Sequence, residues 1–267
     1  MLGSGPPPHL LIAGAVVTVA VAALATATAL GLVVVTSILG RPGLLVEALA
    51  LKSMLSLRGL ARSALAVRDH LERPDLRAAR EAVGRHLVSR PTLTLDARQV
   101  ASAAVESVAE NLTDAFVAPV LFFLVFGLPG AVAYRVINTA DAMIGYREGS
   151  LRYFGRVAAR LDDLFNLVPA RLAALSLVAA APLAGADRCR ALATMRRDHR
   201  RTASPNAGWT MAAMAGALGV VLEKPGAYRL GDGRAPGPDD ILSSVRIMAF
   251  AAAPLVTIAV AFGLVVR

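Results

Sequence analysis

Cysteine is all but missing: Cys189 is the only one in 267 residues. An internal disulfide and a cysteine-rich metal site are therefore excluded. Only four histidines occur, which argues against a zinc centre. Lysine is nearly missing as well. Lys52 and Lys224 are the only two, so the net charge of +9 rests on arginine. Aromatic residues make up 5%, too few to supply stacking platforms for single strands. Nucleic acid is not an expected partner. There is no glycine-rich phosphate loop ending in Lys-Ser or Lys-Thr, no Gly-x-Ser-x-Gly elbow and no His-Glu-x-x-His pair. No secretory signal is expected, because the first apolar run lacks a basic flank and is too long for a signal core. No internal repeat is visible, which weakens an inverted-repeat transporter reading.

What the chain has in abundance is apolar surface. Hydrophobic residues make up 56% and mean hydropathy is +0.58, against roughly 45–50% apolar residues in soluble domains. An all-α, polytopic integral membrane protein with amphipathic and re-entrant helices is expected, as one domain over residues 10–267. Residues 1–9, with Gly3, Gly5 and three prolines, read as a disordered lead-in. A crossing needs about 20 apolar residues. Spans are expected at 10–39, 116–137, 164–184 and 249–266.

Between the spans the pattern changes. Residues 44–72 alternate Leu, Ala and Val with charges at helical spacing, as in an amphipathic helix. Pro74 breaks it, and 75–88 reads as a short charged helix. Asp96 is placed to cap a second amphipathic helix over 96–114. Residues 186–222 read as a basic loop followed by a small-residue helix. There Ala212/Gly216 and Ala215/Gly219 lie four apart, as close helix packing requires. Residues 223–240 read as a Gly/Pro-rich loop. Within the second span, Gly127 to Gly130 admits either one kinked crossing or a helical hairpin returning to the same side. Lys and Arg number 11 in residues 40–115, 10 in 185–248 and 5 in 135–163. With four simple spans, the positive-inside bias places the two rich segments on the cytoplasmic side of a multi-pass cell-membrane protein; a hairpin at Gly127–Gly130 would require another crossing elsewhere.

Polar residues beside such sequence need a reason. Glu106, Glu110 and Asp114 are successive i, i+4 positions, so a helix would line them on one stripe. A divalent cation such as Mg²⁺, with substrate phosphates, or an arginine partner would relieve their repulsion. The stripe alone favours a solvated face over a cation site. Asn138 and Asp141 follow Arg135 in an otherwise apolar segment. An Arg–Asp lock between helices and a substrate contact stand about even there. Arg160, Asp162, Asp163 and Asn166 form a similar group. Arg171 lies inside an apolar run and calls for an anionic partner, a carboxylate or a ligand phosphate. The basic run through Arg197 and Arg201 feeds Ser204, Asn206 and a helix start, an anion site or a juxtamembrane patch with equal claim. His199 reads as a solvated side chain.

In order along the chain, several blocks resemble one family. They are Ala104-Val-Glu-Ser-Val-Ala-Glu-Asn111, Asn138-Thr-Ala-Asp141 with Gly145-Tyr146, Ala159-Arg-Leu-Asp-Asp163, Pro169-Ala-Arg171 and the sixteen residues from Ser204 to Gly219. Over residues 45–250 the chain resembles the adenosylcobinamide-phosphate synthase family, of the CbiB/CobD type. The resemblance implies a membrane enzyme of cobalamin biosynthesis, an amide-forming ligase. It would join the ring D propionate of adenosylcobyric acid, its corrinoid substrate, to aminopropanol or aminopropanol phosphate. ATP would be co-substrate and Mg²⁺ the metal. Other cobalamin-pathway enzymes and a second copy of the chain are implied partners besides the lipid bilayer. Glu106, Glu110, Asp162, Asp163 and Arg160 are the implied catalytic residues. Glu110, Asp114, Asp162 and Asp163 are the implied metal ligands. Asn111, Asn138, Asp141, Tyr146, Asn166, Arg171, Arg197, Arg201, Ser204 and Asn206 are implied to bind substrate.

The chain departs from the family pattern in places. It shows no counterpart of an N-terminal apolar segment carrying Gly-Asp-Pro. Ala115, Ala142 and Thr202 stand where the family has Gly, Ser and a basic or histidine residue. A non-catalytic pathway scaffold and a small-molecule transporter remain the alternatives. A transporter would set polar groups at mid-membrane in matched halves, whereas here they crowd segment ends.

Overall fold

A computed structural model describes residues 8–146 and 148–265. The expected lead-in lies outside them except for Pro8 and His9, which already belong to the first helix. The described chain is almost wholly helical. Among the described residues, four stretches are long and apolar enough to cross a membrane: Pro8–Leu39, Ala97–Ile144, Leu167–Ala184 and Pro238–Ala261. The all-α membrane class expected from composition is what the chain adopts.

The residues divide into two compact units. The first comprises Met1–Leu55, Ala118–Asn166 and Phe262–Arg267. Helix α1 (Pro8–Leu39) packs here on α2 (Arg41–Met54), α6 (Ala118–Ile144), α7 (Leu151–Phe154) and α8 (Arg156–Phe165). Contact is close at Gly14, where a Cβ would lie on the Phe154 carbonyl. The Thr36 hydroxyl donates to the buried Glu47 carboxylate and ties α1 to α2. Most of α1 otherwise faces outward with Val, Leu and Ile exposed, as a lipid-facing helix requires.

Helix α6 decides the question at Gly127. That residue has φ 67 and ψ −164, outside helical values. In a straight helix Phe122 and Tyr134 would be separated by about 18 Å along the axis. Their rings instead stack with centroids 5.1 Å apart, and Phe165 also stacks on Phe122, at 5.2 Å. A Cβ on Gly130 would come within 2.9 Å of the Phe122 carbonyl oxygen. The chain therefore folds back at Gly127. Residues 118–126 and 128–144 form a helical hairpin, and the single kinked crossing expected as its alternative does not form.

The second unit comprises Ser56–Val117 and Leu167–Ala261. It contains α3 (Leu57–Glu72), α4 (Leu76–His86), α5 (Ala97–Leu112), a π-helical turn (Thr113–Val117), α9 (Leu167–Ala180) and a short 3₁₀ turn (Ala181–Ala184). It continues with α10 (Arg188–Asp198), α11 (Ala207–Leu218), strands β1 (Leu222–Lys224) and β2 (Tyr228–Leu230), and α12 (Pro238–Val265). Asp96 caps α5 as expected: it accepts from the Gln99 amide while Gln99 returns the bond, a full capping box. Helices α5 and α11 form the core. Val105, Val108, Leu112, Met211 and Met214 are buried there.

Five expectations are corrected. The amphipathic stretch 44–72 is two helices, because Leu55 is extended and the Ser56 amide donates to the Ala115 carbonyl. Residues 188–198 form a helix and not a basic loop, started by Asp187, which accepts from the Arg190 amide. The Gly/Pro-rich loop contains an antiparallel hairpin pairing Leu222 with Leu230. The last helix starts at Pro238, eleven residues before the expected span, with Asp239 and Asp240 in its first turn. Of the small residues in α11, Gly216 packs against the α10 backbone as expected, but Gly219 ends the helix with φ 65.

Candidate active site

The carboxylate stripe on α5 is not a solvated face. Glu106 is 5% exposed, while Glu110 and Asp114 are half-buried. Burying a carboxylate demands partners, and Glu106 has three. Ser102 Oγ donates to Oε1 at 2.7 Å, the Tyr228 hydroxyl donates to Oε2 at 2.7 Å, and Arg90 Nη2 lies 3.6 Å from Oε2. Ser102 accepts in turn from the Glu223 amide at 2.8 Å, which fixes β1 against α5. Burial first, then the neighbouring Glu106 charge, push the Tyr228 phenol far above its ordinary value. It therefore stays protonated and donates.

Arg90 is held in an unusual state. Its Nε, Nη1 and Nη2 are shielded from solvent and make no hydrogen bond. The segment that carries it is pinned to helices on either side. Ser107 Oγ donates to the Leu87 carbonyl, and Arg80 Nε donates to the Leu95 carbonyl. Arg90, Glu106, Glu110, Lys224 and Tyr228 line a cleft of about 240 Å³, together with Leu87 and Val88. Asn111 lies beside this stripe, but its amide group is turned onto Ser107.

The first unit holds a second polar group. Asp162 accepts from Asn138 Nδ2 and Asn166 Nδ2, both at 3.1 Å. Asn166 accepts in turn from the Tyr134 hydroxyl at 2.9 Å. Burial pushes the Asp162 carboxyl above its ordinary value, and the adjacent Asp163 adds to this. Arg135 donates to Asn138 at 3.3 Å. Asp163 and Asp141 are half-buried, whereas Arg160 and Tyr146 are exposed.

The expected phosphate-binding arginines are engaged with protein groups. Arg171 meets no carboxylate among the described residues. It donates to the Leu167 carbonyl and to Asn206 Oδ1 at 3.2 Å, and its guanidinium lies 4.8 Å above the Trp209 ring. His199 stacks on the same indole at 4.0 Å and so is not a freely solvated side chain. Arg197 and Arg201 both bind Asp198, and Arg197 also binds Asp232. Burial raises the Asp198 carboxyl, but Arg197, the Gly231 amide and Arg201 outweigh it and hold the group below its ordinary value. Ser204 does act at a helix start, accepting from the Asn206 and Ala207 amides.

Among the described residues no three His, Cys, Asp or Glu side chains group to hold a metal alone. Glu106 is committed to Ser102, Tyr228 and Arg90. Glu110 is thus the cleft's second carboxylate. One or two carboxylates with substrate phosphates are an ordinary Mg²⁺ environment, so the donor set fits a metal arriving with a nucleotide.

The CobD/CbiB protein family model matches residues 6–248. The chain belongs to the CobD/CbiB family. A cobalamin biosynthesis protein CobD of Dehalococcoides mccartyi is 49% identical over 189 residues, 71% of this chain and 61% of that protein. Its namesake in Rhodobacter capsulatus is 47% identical over 189 residues, 71% of this chain and 59% of that protein. The chain thus spans about three fifths of the length of these CobD relatives. No solved structure matches it. Within this CobD/CbiB chain, sequence reading picked out Glu106 and Glu110 but missed Arg90, Lys224 and Tyr228. Arg90 carried a signal, an arginine before Pro91, but that dipeptide also reads as a helix terminator.

Proposed function

We propose that this protein is a multi-pass membrane ligase of cobalamin biosynthesis. It amidates the ring D propionate of adenosylcobyric acid with aminopropanol or aminopropanol phosphate, using ATP. Family membership supports the pathway. The observation that carries the chemistry is the cleft in which buried Glu106 holds an otherwise unbonded Arg90 beside Glu110. A carboxylate is a poor acyl donor and needs activation. Its oxygen attacks the γ-phosphorus of ATP, giving an acyl phosphate and ADP. The amine then attacks the acyl carbon, the tetrahedral intermediate expels phosphate, and the nitrogen loses a proton. Glu110, which lines the cleft, is the proposed base for that proton. Arg90, with no hydrogen bond of its own, would stabilise negative charge on phosphate or on the intermediate. Bound Mg²⁺ would neutralise nucleotide phosphate charge. Its candidate ligands are Asp162 and Asp163 in the first unit or, alternatively, Asp114 or Glu110 in the second. The active site is assigned to the cytoplasmic side, where the arginine-rich segments belong.

The test uses membranes containing the full chain, adenosylcobyric acid, aminopropanol phosphate and Mg-ATP, with the product identified by mass. Cobinamide phosphate should form. Glu110→Gln should lower the rate by roughly 10²-fold or more, and Asp163→Asn should abolish it while membrane insertion persists. Unchanged product in both variants would make the protein a non-catalytic scaffold.

A further inference from the structure

The α5 cleft carries both signs of charge, and this bears on which substrate enters it. We infer that it is the subsite of the smaller co-substrate, bound as a zwitterion, with an ammonium at Glu110 and a phosphate at Arg90 and Lys224. The inference rests on the ligase reading above and adds an assignment of residues to one substrate. Volume is the first argument. About 240 Å³ lies below the roughly 300–1,000 Å³ of sites for drug-sized ligands. An aminoalkyl phosphate fits this space, and a corrin macrocycle does not. Charge is the second. A lone carboxylate would meet repulsion from Glu106 and Glu110, and a triphosphate would need bound Mg²⁺ to offset it. A ligand with a cation at one end and an anion at the other satisfies both kinds of wall.

Available donors are the third argument. A guanidinium offers five N–H donors, and Arg90 spends none of them in a hydrogen bond. Turning toward a phosphate therefore costs it no existing hydrogen bond. Lys224 is exposed at the end of β1, on the rim of the same cleft. Glu106 has its own role. Ser102 and Tyr228 lock its two oxygens, so it acts as the fixed counter-charge that keeps Arg90 over the cleft. It is a positioning residue and does not touch the ligand.

The experiment is calorimetric titration of the purified full chain with aminopropanol phosphate, without nucleotide or corrinoid. Aminopropanol and inorganic phosphate are the single-charge controls. Arg90→Gln and Lys224→Met should each weaken binding of aminopropanol phosphate on the order of 10- to 100-fold, and both controls should bind more weakly than the zwitterion. Lys224 is exposed, so its variant reports even where Arg90→Gln fails to fold. In the amidation assay Lys224→Met should raise KM for the amine and leave KM for ATP unchanged. Product formation with unaltered aminopropanol phosphate binding in Lys224→Met would overturn the subsite and leave the ligase reading standing. Charge-dependent binding without any product would sink the ligase reading alone. Inorganic phosphate binding as tightly as the zwitterion would overturn the ammonium half of the proposal.

Discussion

Glu106 shows how much one buried carboxylate can organise. Leaving an acceptor unsatisfied inside a protein costs about 1–3 kcal/mol, and more when the group is charged. Ser102 and Tyr228 supply the hydrogen bonds and Arg90 the opposite charge. Tyr228→Phe keeps the ring and removes one donor. It should destabilise the protein by about 1–3 kcal/mol, visible as a lower Tm in detergent; an unchanged Tm would show that the phenol is dispensable. Asp198 is a second organising acid, with no exposed side-chain surface. It accepts from the Gly231 amide and so anchors the β1–β2 hairpin to α10. Its carboxyl sits below the ordinary value in the folded state. Its contribution is therefore complete above the unfolded value of about 3.9 and is lost as pH falls through the lower folded value. Melting followed from pH 7 to pH 3 should show this loss in the wild type. Asp198→Asn should be less stable at neutral pH and should lack that component of the acid transition.

The helical hairpin within α6 depends on a backbone conformation that only glycine adopts cheaply. Gly127 combines φ 67 with ψ −164, a region where a side chain costs on the order of 1–3 kcal/mol. Gly31 lies inside α1 with an ordinary helical backbone, and a Cβ added there would meet nothing within 4 Å. Gly127→Ala should therefore lower thermal stability by that amount. Gly31→Ala should be neutral or stabilising by up to about 1 kcal/mol. Equal effects of the two substitutions would contradict the fold-back geometry. The divided amphipathic stretch has a similar local cause with a distant partner. Nothing in the Leu55-Ser56 dipeptide forbids a helix, but the Ser56 amide is taken by the Ala115 carbonyl.

For the protein as a membrane component, the distribution of arginine sets the expected orientation. Residues 185–248 carry 10 Lys and Arg, and Cys189 within them is exposed and is the only cysteine. A membrane-impermeant maleimide should label Cys189 in inverted membrane vesicles and not in right-side-out vesicles; labelling of right-side-out vesicles would invert the proposed topology. Sequence alone was enough for the helical membrane class, for four apolar stretches near their observed places, for the Asp96 cap and for the family. These are local properties: an apolar run, a capping residue or a contiguous motif is written within a few turns of chain. It left open whether Gly127 bends or reverses the helix, because both use the same residues. It also assigned Arg171, Arg197 and Arg201 to ligand phosphate. In the folded chain these arginines meet Trp209 and Asn206, and Asp198 and Asp232, partners that their spacing did not indicate. Only tertiary structure could bring Tyr228 to Glu106 across 122 residues and set Arg90 beside Glu106 at the same cleft. Such pairings depend on which helix faces meet, and that is decided by packing of the whole chain and not by the spacing of residues along it.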